Sequence, residues 1–233
     1  MTGHRDVPVE LAIFDAFDTL VTAHPDYRNT FLDGLTQAGL EPSLTLLAHF
    51  QAASEGLDHS AWSRSRDSYV AWASETLCLA KQADHREDAR FAARIVPALE
   101  QMHQAPMVQL PGAEECLARL KHAGCTIAVC SNWGWDLRAD LRPTGLAAYI
   151  DTYVTSAQVG FRKPHPRIYR AALEANGSSA DEAIFVGDNV RADVVGPQNA
   201  GIRAILLTSA PDEDFGGEHA RSLAAVAELL AAT

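Results

Sequence analysis

Two textures of apolar and polar residues divide the chain. Leu11–Phe14, LAIF, is an unbroken apolar run, which predicts a strand covered on both faces, and it delivers Asp15 at its carboxyl end. Beyond it, Tyr27, Phe31, Leu32 and Leu35 fall at helical spacing, so a helix is expected over 26–38 with Gly39 as its stop. Further helices are expected over 44–56, 60–80 and 87–103, the last disturbed by Pro97, and nothing between them has strand character. From Pro111 the pattern alternates. It predicts helices over 113–122, 166–175, 191–199 and 222–231, with strands over 126–130, 153–155, 183–186 and 202–207.

Such an alternation describes an α/β fold, a Rossmann-like parallel sheet core with an inserted all-helical cap domain. The insertion follows from length, because about 90 residues separate Leu20 from the next strand–helix unit, too many for a simple crossover. Residues 1–20 and 106–233 are expected to form the catalytic core and residues 21–105 the cap.

In an open parallel sheet, ligands bind at the carboxyl edge. Asp15, Ser131 and Asp188 each follow an apolar strand directly, while Asn132, Lys163 and Asp193 lie in the adjoining segments. Each has a plainer reading: Asp15, Ser131, Asn132 and Asp188 could cap turns or helices, and Lys163 and Asp193 could be solvated. Together they make a site for a divalent cation and an anion, with the acids holding magnesium and the lysine and hydroxyl holding the anion.

Composition narrows the partners. Thirty acidic residues against 19 basic ones give a formal charge of -11, which argues against a nucleic-acid backbone as ligand. No apolar run approaches a membrane span and the amino terminus carries no signal-like stretch, so a cytoplasmic protein without a membrane partner is expected. Cys78, Cys116, Cys125 and Cys130 lack zinc-ligand spacing and read as buried thiols.

These residues, in this order, resemble the haloacid dehalogenase-like hydrolases. Asp15 and Thr19 match the first motif of that family and Ser131 the second. Lys163, with Pro164 and Pro166, matches the third, and Gly187, Asp188 and Asp193 match the fourth. The resemblance implies Asp15, Ser131 and Lys163 as catalytic residues. It also implies a magnesium ion on Asp15, Asp188 and the carbonyl of Phe17, with Thr19, Asn132, Asn189 and Asp193 touching substrate or supporting the others. The implied reaction is magnesium-dependent hydrolysis of a phosphomonoester or acyl phosphate, drawn from small phosphorylated metabolites, through an aspartyl phosphate. A monomer or homodimer is expected.

The resemblance has two departures. The family's phosphatases carry a second Asp two residues after the first, as general acid and base, whereas this chain has Phe17, which carries no proton to give. Asp18 stands next to it, where a small residue is usual, and reads more readily as a turn residue. An aromatic in place of the second Asp is also found in the 2-haloacid dehalogenases, which makes that activity the alternative. A catalytically weak binding protein on the same fold is a third. Retention of Asp188, a carboxylate that would repel an anionic haloacid, favours the metal-dependent reaction. In the cap, His24, Arg28, Arg64 and Arg66 are polar candidates for substrate contact, and Trp62 and Trp72 could wall a pocket.

Overall fold

The fold is taken from a computed structural model, which describes residues 9–25, 107–209 and 217–231 together with positions 29, 32, 33, 36, 65, 67, 68 and 71. The chain divides into two compact units, Met1–Thr22 with Met107–Thr233, and Ala23–Pro106. In the second unit the described positions 29, 32, 33, 36, 67, 68 and 71 are helical. The expected helices over 44–56 and 87–103 lie outside the described residues, as do Arg28, Trp62, Arg64, Arg66 and Trp72.

In the first unit, β1 (Leu11–Phe14) is followed by the short strands β2 (Val21–Ala23) and β3 (Met107–Gln109). Next come α1 (Ala113–His122), β4 (Thr126–Ser131), α2 (Leu137–Leu141), β5 (Thr152–Thr155), α3 (Ser156–Val159) and α4 (Pro166–Asn176). Then β6 (Ala183–Gly187) leads through a π-helical turn, Val190–Val195, into α5 (Gly196–Asn199). The described chain closes with β7 (Arg203–Leu207), β8 (His219–Ala220) and α6 (Leu223–Ala231).

Six strands form one sheet in the order β5-β4-β1-β6-β7-β8, and every pairing in it is parallel. β2 and β3 form a separate pair. This is the Rossmann-like sheet that the apolar runs predict, and β1 shows why they are continuous. Ala12 and Phe14 enter one buried cluster with Leu117 and Leu120 of α1 and Val226 and Leu230 of α6. Leu11 and Ile13 enter a second with Ile168, Tyr169 and Ala172 of α4. Successive side chains point to opposite faces, so a strand with helices on both sides needs apolar residues at every position.

Register then decides where the chemistry falls. Phe14 pairs with Val129 and Val186 on either side, so β1, β4 and β6 end almost level. Asp15, Ser131 and Asp188 therefore emerge along one edge.

Several short elements depart from the sequence expectation. The helix expected over 191–199 is a π turn followed by a short α-helix. Asn189 caps the turn, its Oδ1 accepting from Ala192 N at 2.9 Å. β2, β3, β8, α2 and α3 have no counterpart among the expected elements, since runs of two to five residues carry too little periodicity to be read. Among the described residues, no helix is long and apolar enough to cross a membrane.

Asp151 ties α1 to the sheet. It accepts from Ile127 N at 2.8 Å and pairs with Lys121 Nζ at 2.7 Å. Burial pushes its carboxyl up, but the Ile127 amide and the Lys121 ammonium outweigh this and hold it below the ordinary value. A depressed folded-state value gives stability that is complete above the unfolded carboxyl value, about 4, and is lost as pH falls through the folded one. The pair is more than one-third exposed, which limits its contribution to below about 1 kcal/mol. Urea unfolding of Asp151→Asn should therefore show a small deficit against the parent at pH 7 that shrinks below pH 4. A deficit that grows in acid would contradict this.

Candidate active site

Asp15 leaves β1 with its amide donating to Val186 O at 2.9 Å, which fixes the backbone against β6. The chain then folds back on itself. Leu20 N and Val21 N both donate to Ala16 O, at 2.9 and 3.0 Å, and Asp18 N donates to Val21 O at 2.7 Å. Asp18 sits in the left-handed region, φ 55°, and its Oδ1 accepts from Thr22 Oγ1 at 2.9 Å. An Asp tolerates that backbone better than most residues. The carboxylate of Asp18 serves the turn.

Lys163 is the centre of the cluster. Only 2% of its side chain is exposed, and its ammonium lies 2.8 Å from Asp15 Oδ1 and 2.7 Å from Asp193 Oδ1. The ammonium also stands over the Phe185 ring, 5.1 Å from its centroid, where the π face attracts a cation. Burial depresses the lysine, but Asp15 and Asp193 raise it further, so the net displacement is above its ordinary value and the group is charged. Asp15 Oδ1 is enclosed and accepts no well-directed hydrogen bond, so at 2.8 Å the lysine holds it by charge rather than alignment.

Neighbouring groups position this pair. Lys163 N donates to Asn132 Oδ1 at 2.7 Å, and Asn132 Nδ2 donates back to Lys163 O at 3.2 Å. Asn132 thus clamps the lysine's own backbone. Asp193 is fully buried, its Oδ1 on Lys163 Nζ and its Oδ2 accepting from Asn189 N at 3.0 Å. Burial pushes its carboxyl up, with Lys163 pulling the other way. Gly187 makes room for it, because any Cβ there would collide with the Asp193 carboxylate. The π turn also depends on Tyr169, whose hydroxyl donates to Ala192 O at 2.5 Å.

Asp188 is differently placed. It is exposed, and Thr19 Oγ1 donates to its Oδ1 at 3.1 Å from a fully buried position. Partial desolvation of the carboxyl by its neighbours, together with the charge of Asp15, pushes it above its ordinary value. One carboxylate oxygen each from Asp15, Asp188 and Asp193 lies within 4.8 Å of the others. Three acids against one ammonium leave an excess of negative charge, and an oxygen-rich acidic cluster of this kind is able to hold a divalent metal ion. Asp193 already has both oxygens engaged, which leaves Asp15 and Asp188 as the donors with capacity to spare.

The residues singled out in the sequence therefore meet at one edge. Lys163 and Asp193, which could have been solvated, are buried, and Asn189 rather than Asp188 caps the turn beyond β6. Ser131 ends β4, buried at 2%, and pairs with Thr155 across the sheet. Phe17 is 40% exposed, with its ring 6.4 Å from that of Trp133. Sequence reasoning missed Tyr169 and Trp133. Trp133 had a signal, since it follows Ser131 at the interval by which Phe17 follows Asp15.

The profile of the haloacid dehalogenase-like hydrolase family matches residues 9–201. The chain is 31% identical over 224 residues to a phosphoserine phosphatase of Thermus thermophilus, covering 85% of this chain and 88% of that one. It is 28% identical over 215 residues to human haloacid dehalogenase-like hydrolase domain-containing protein 3, covering 88% of this chain and 84% of the human one. Among solved structures, a 2-haloacid dehalogenase of Pseudomonas syringae pv. tomato superposes with a TM-score of 0.70 at 25% identity, covering 96% of this chain and 99% of that one.

Substitutions around Asp193 test how tightly the cluster is pinned. Asp193→Ala removes one partner of a buried charge, which typically costs about 3–5 kcal/mol. Gly187→Ala forces the carboxylate to move and should cost about 1–3 kcal/mol, as overpacking does. Urea midpoints unchanged in both variants would show that the cluster does not depend on this packing.

Proposed function

The chain belongs to the haloacid dehalogenase-like hydrolases, and from that premise we propose that it hydrolyses phosphate monoesters or acyl phosphates through Asp15, with magnesium as cofactor. One observation carries the reading: Asp188 adds a further carboxylate to a cluster in which a single lysine already serves two acids. That charge excess suits a cation together with a phosphoryl group. Asp15, Asp188 and the Phe17 carbonyl would hold the ion, which when bound offsets charge on the phosphoryl oxygens.

In this reading an Asp15 carboxylate oxygen attacks phosphorus in line, the bond to the leaving oxygen breaks, and the leaving group departs with its electron pair. Lys163, protonated throughout, holds Asp15 in place and lends positive charge to the equatorial oxygens. Ser131 at the neighbouring strand end serves as a phosphoryl ligand, and Thr19 fixes Asp188. Asn132, Asn189 and Asp193 keep Lys163 and the turn in position. A water oxygen then attacks phosphorus, the bond from phosphorus to Asp15 breaks, and inorganic phosphate leaves with the water's proton passing to solvent or phosphate, which regenerates the Asp15 carboxylate. The substrate is a small phosphorylated metabolite, in keeping with the phosphatase name of the Thermus relative.

A 2-haloacid dehalogenase is the second reading, supported by Phe17 and by the superposition on the Pseudomonas enzyme. It requires Asp15 to displace halide beside Asp188, where an anionic substrate meets an uncompensated acid. Asp188 therefore favours phosphoryl chemistry.

Phe17 has a consequence for rate. Proton delivery to a leaving group is worth about 100- to 10,000-fold where it is needed and much less where the leaving group is acidic. Steady-state assays with magnesium should thus favour aryl over alkyl phosphates, Asp15→Asn should abolish turnover, chelator should suppress it, and Asp18→Asn should cost little. Equal rates on the two esters would refute the leaving-group argument, and activity in Asp15→Asn would remove the nucleophile.

A further inference from the structure

Two rings stand at the carboxyl edge of the sheet with no part in the acid–lysine cluster. Phe17 lies two residues beyond Asp15 and Trp133 two beyond Ser131, and the strands they follow, β1 and β4, are adjacent and in parallel register. The rings therefore rise side by side, 6.4 Å between centroids with planes inclined by 39°. At that separation they touch each other and form a wall rather than a slot.

Phe17, two residues beyond the candidate nucleophile in the chain, is left 40% exposed. Trp133 is anchored through both its indole and its backbone carbonyl. Its Nε1–H donates to Asp140 Oδ2 at 2.8 Å, and its carbonyl accepts from Ser156 Oγ and Ala157 N, both at 3.2 Å. Asp140 is itself partly buried, which raises its carboxyl against the pull of the Trp133 bond. A rigid, partly open aromatic surface binds a third ring in offset or edge-on contact without having to order itself first.

We infer that Phe17 and Trp133 are specificity-determining residues that wall the leaving-group side of the site and select phosphate esters of planar aromatic groups. The inference rests on the phosphatase reading. It also accounts for an apolar ring two residues after Asp15 in the chain: a phenol-like leaving group packs on the wall and departs without a donated proton.

Inhibition of acetyl phosphate hydrolysis by benzylphosphonate and ethylphosphonate tests this, because acetyl phosphate has an acidic leaving group and no ring. Benzylphosphonate should bind the parent about tenfold more tightly than ethylphosphonate, from aromatic contact and apolar burial together. That preference should fall to about twofold or less in Phe17→Ala and in Trp133→Ala, whereas Trp133→Phe should keep most of it. Phe17 is exposed, so its truncation tests the wall even if Trp133→Ala does not fold. Equal inhibition of the parent by the two phosphonates, or an undiminished preference in Phe17→Ala, would overturn the inference. Absence of acetyl phosphate hydrolysis that depends on Asp15 would instead overturn the phosphatase reading, and calorimetric affinities of the two phosphonates would then decide the wall by the same criterion.

Discussion

A buried ammonium between two carboxylates is the constraint on which the site depends. Moving a charged lysine out of water costs several kcal/mol, and Lys163 tolerates it because Asp15 and Asp193 lie at 2.8 and 2.7 Å with the Phe185 ring beneath. Each partner then has to be held in turn. Asn132 fixes the lysine's backbone, and Asn189 N fixes the second oxygen of Asp193. Gly187 leaves room where a Cβ would strike the Asp193 carboxylate. Once Lys163 is shared, Asp15 retains a defined orientation, and Asp188 remains as a carboxylate with no cation of its own among the described residues.

The sheet turns this local requirement into a global one. Asp15, Ser131 and Asp188 come from distant parts of the sequence and meet because three neighbouring parallel strands end within two residues of one another, in the register that pairs Phe14 with both Val129 and Val186. Lys163 reaches the same edge from the segment before α4. The helices on both faces keep the interiors of these strands apolar, so the polar residues at or just past their carboxyl ends are the ones delivered to the edge.

Much of this was legible in the sequence because it depends on order and strand ends. LAIF, TIAVC and AIFV are unmistakable buried strands, and the residues that follow them are the site. What could not be read were distances in space and short elements. Whether Lys163 was solvated or buried turned on Asp193, thirty residues later, and nothing local to either residue reveals their contact. The π turn was hidden because its six residues, Val190–Val195, have the composition of an ordinary helix start; its geometry comes from Asn189, Tyr169 and Asp193 acting together. The bond between Trp133 and Asp140 was illegible for a similar reason, since it crosses a turn with no helical period.

The central claim is that the acid excess around Lys163 is matched by a magnesium ion on Asp15 and Asp188. Isothermal calorimetry of magnesium, in the presence of inorganic phosphate, addresses it directly in the parent and in Asp188→Asn. One site is expected in the parent and an affinity at least about tenfold weaker in the variant, the equivalent of about 1.4 kcal/mol. No magnesium binding by the parent, or equal binding by both proteins, would contradict it.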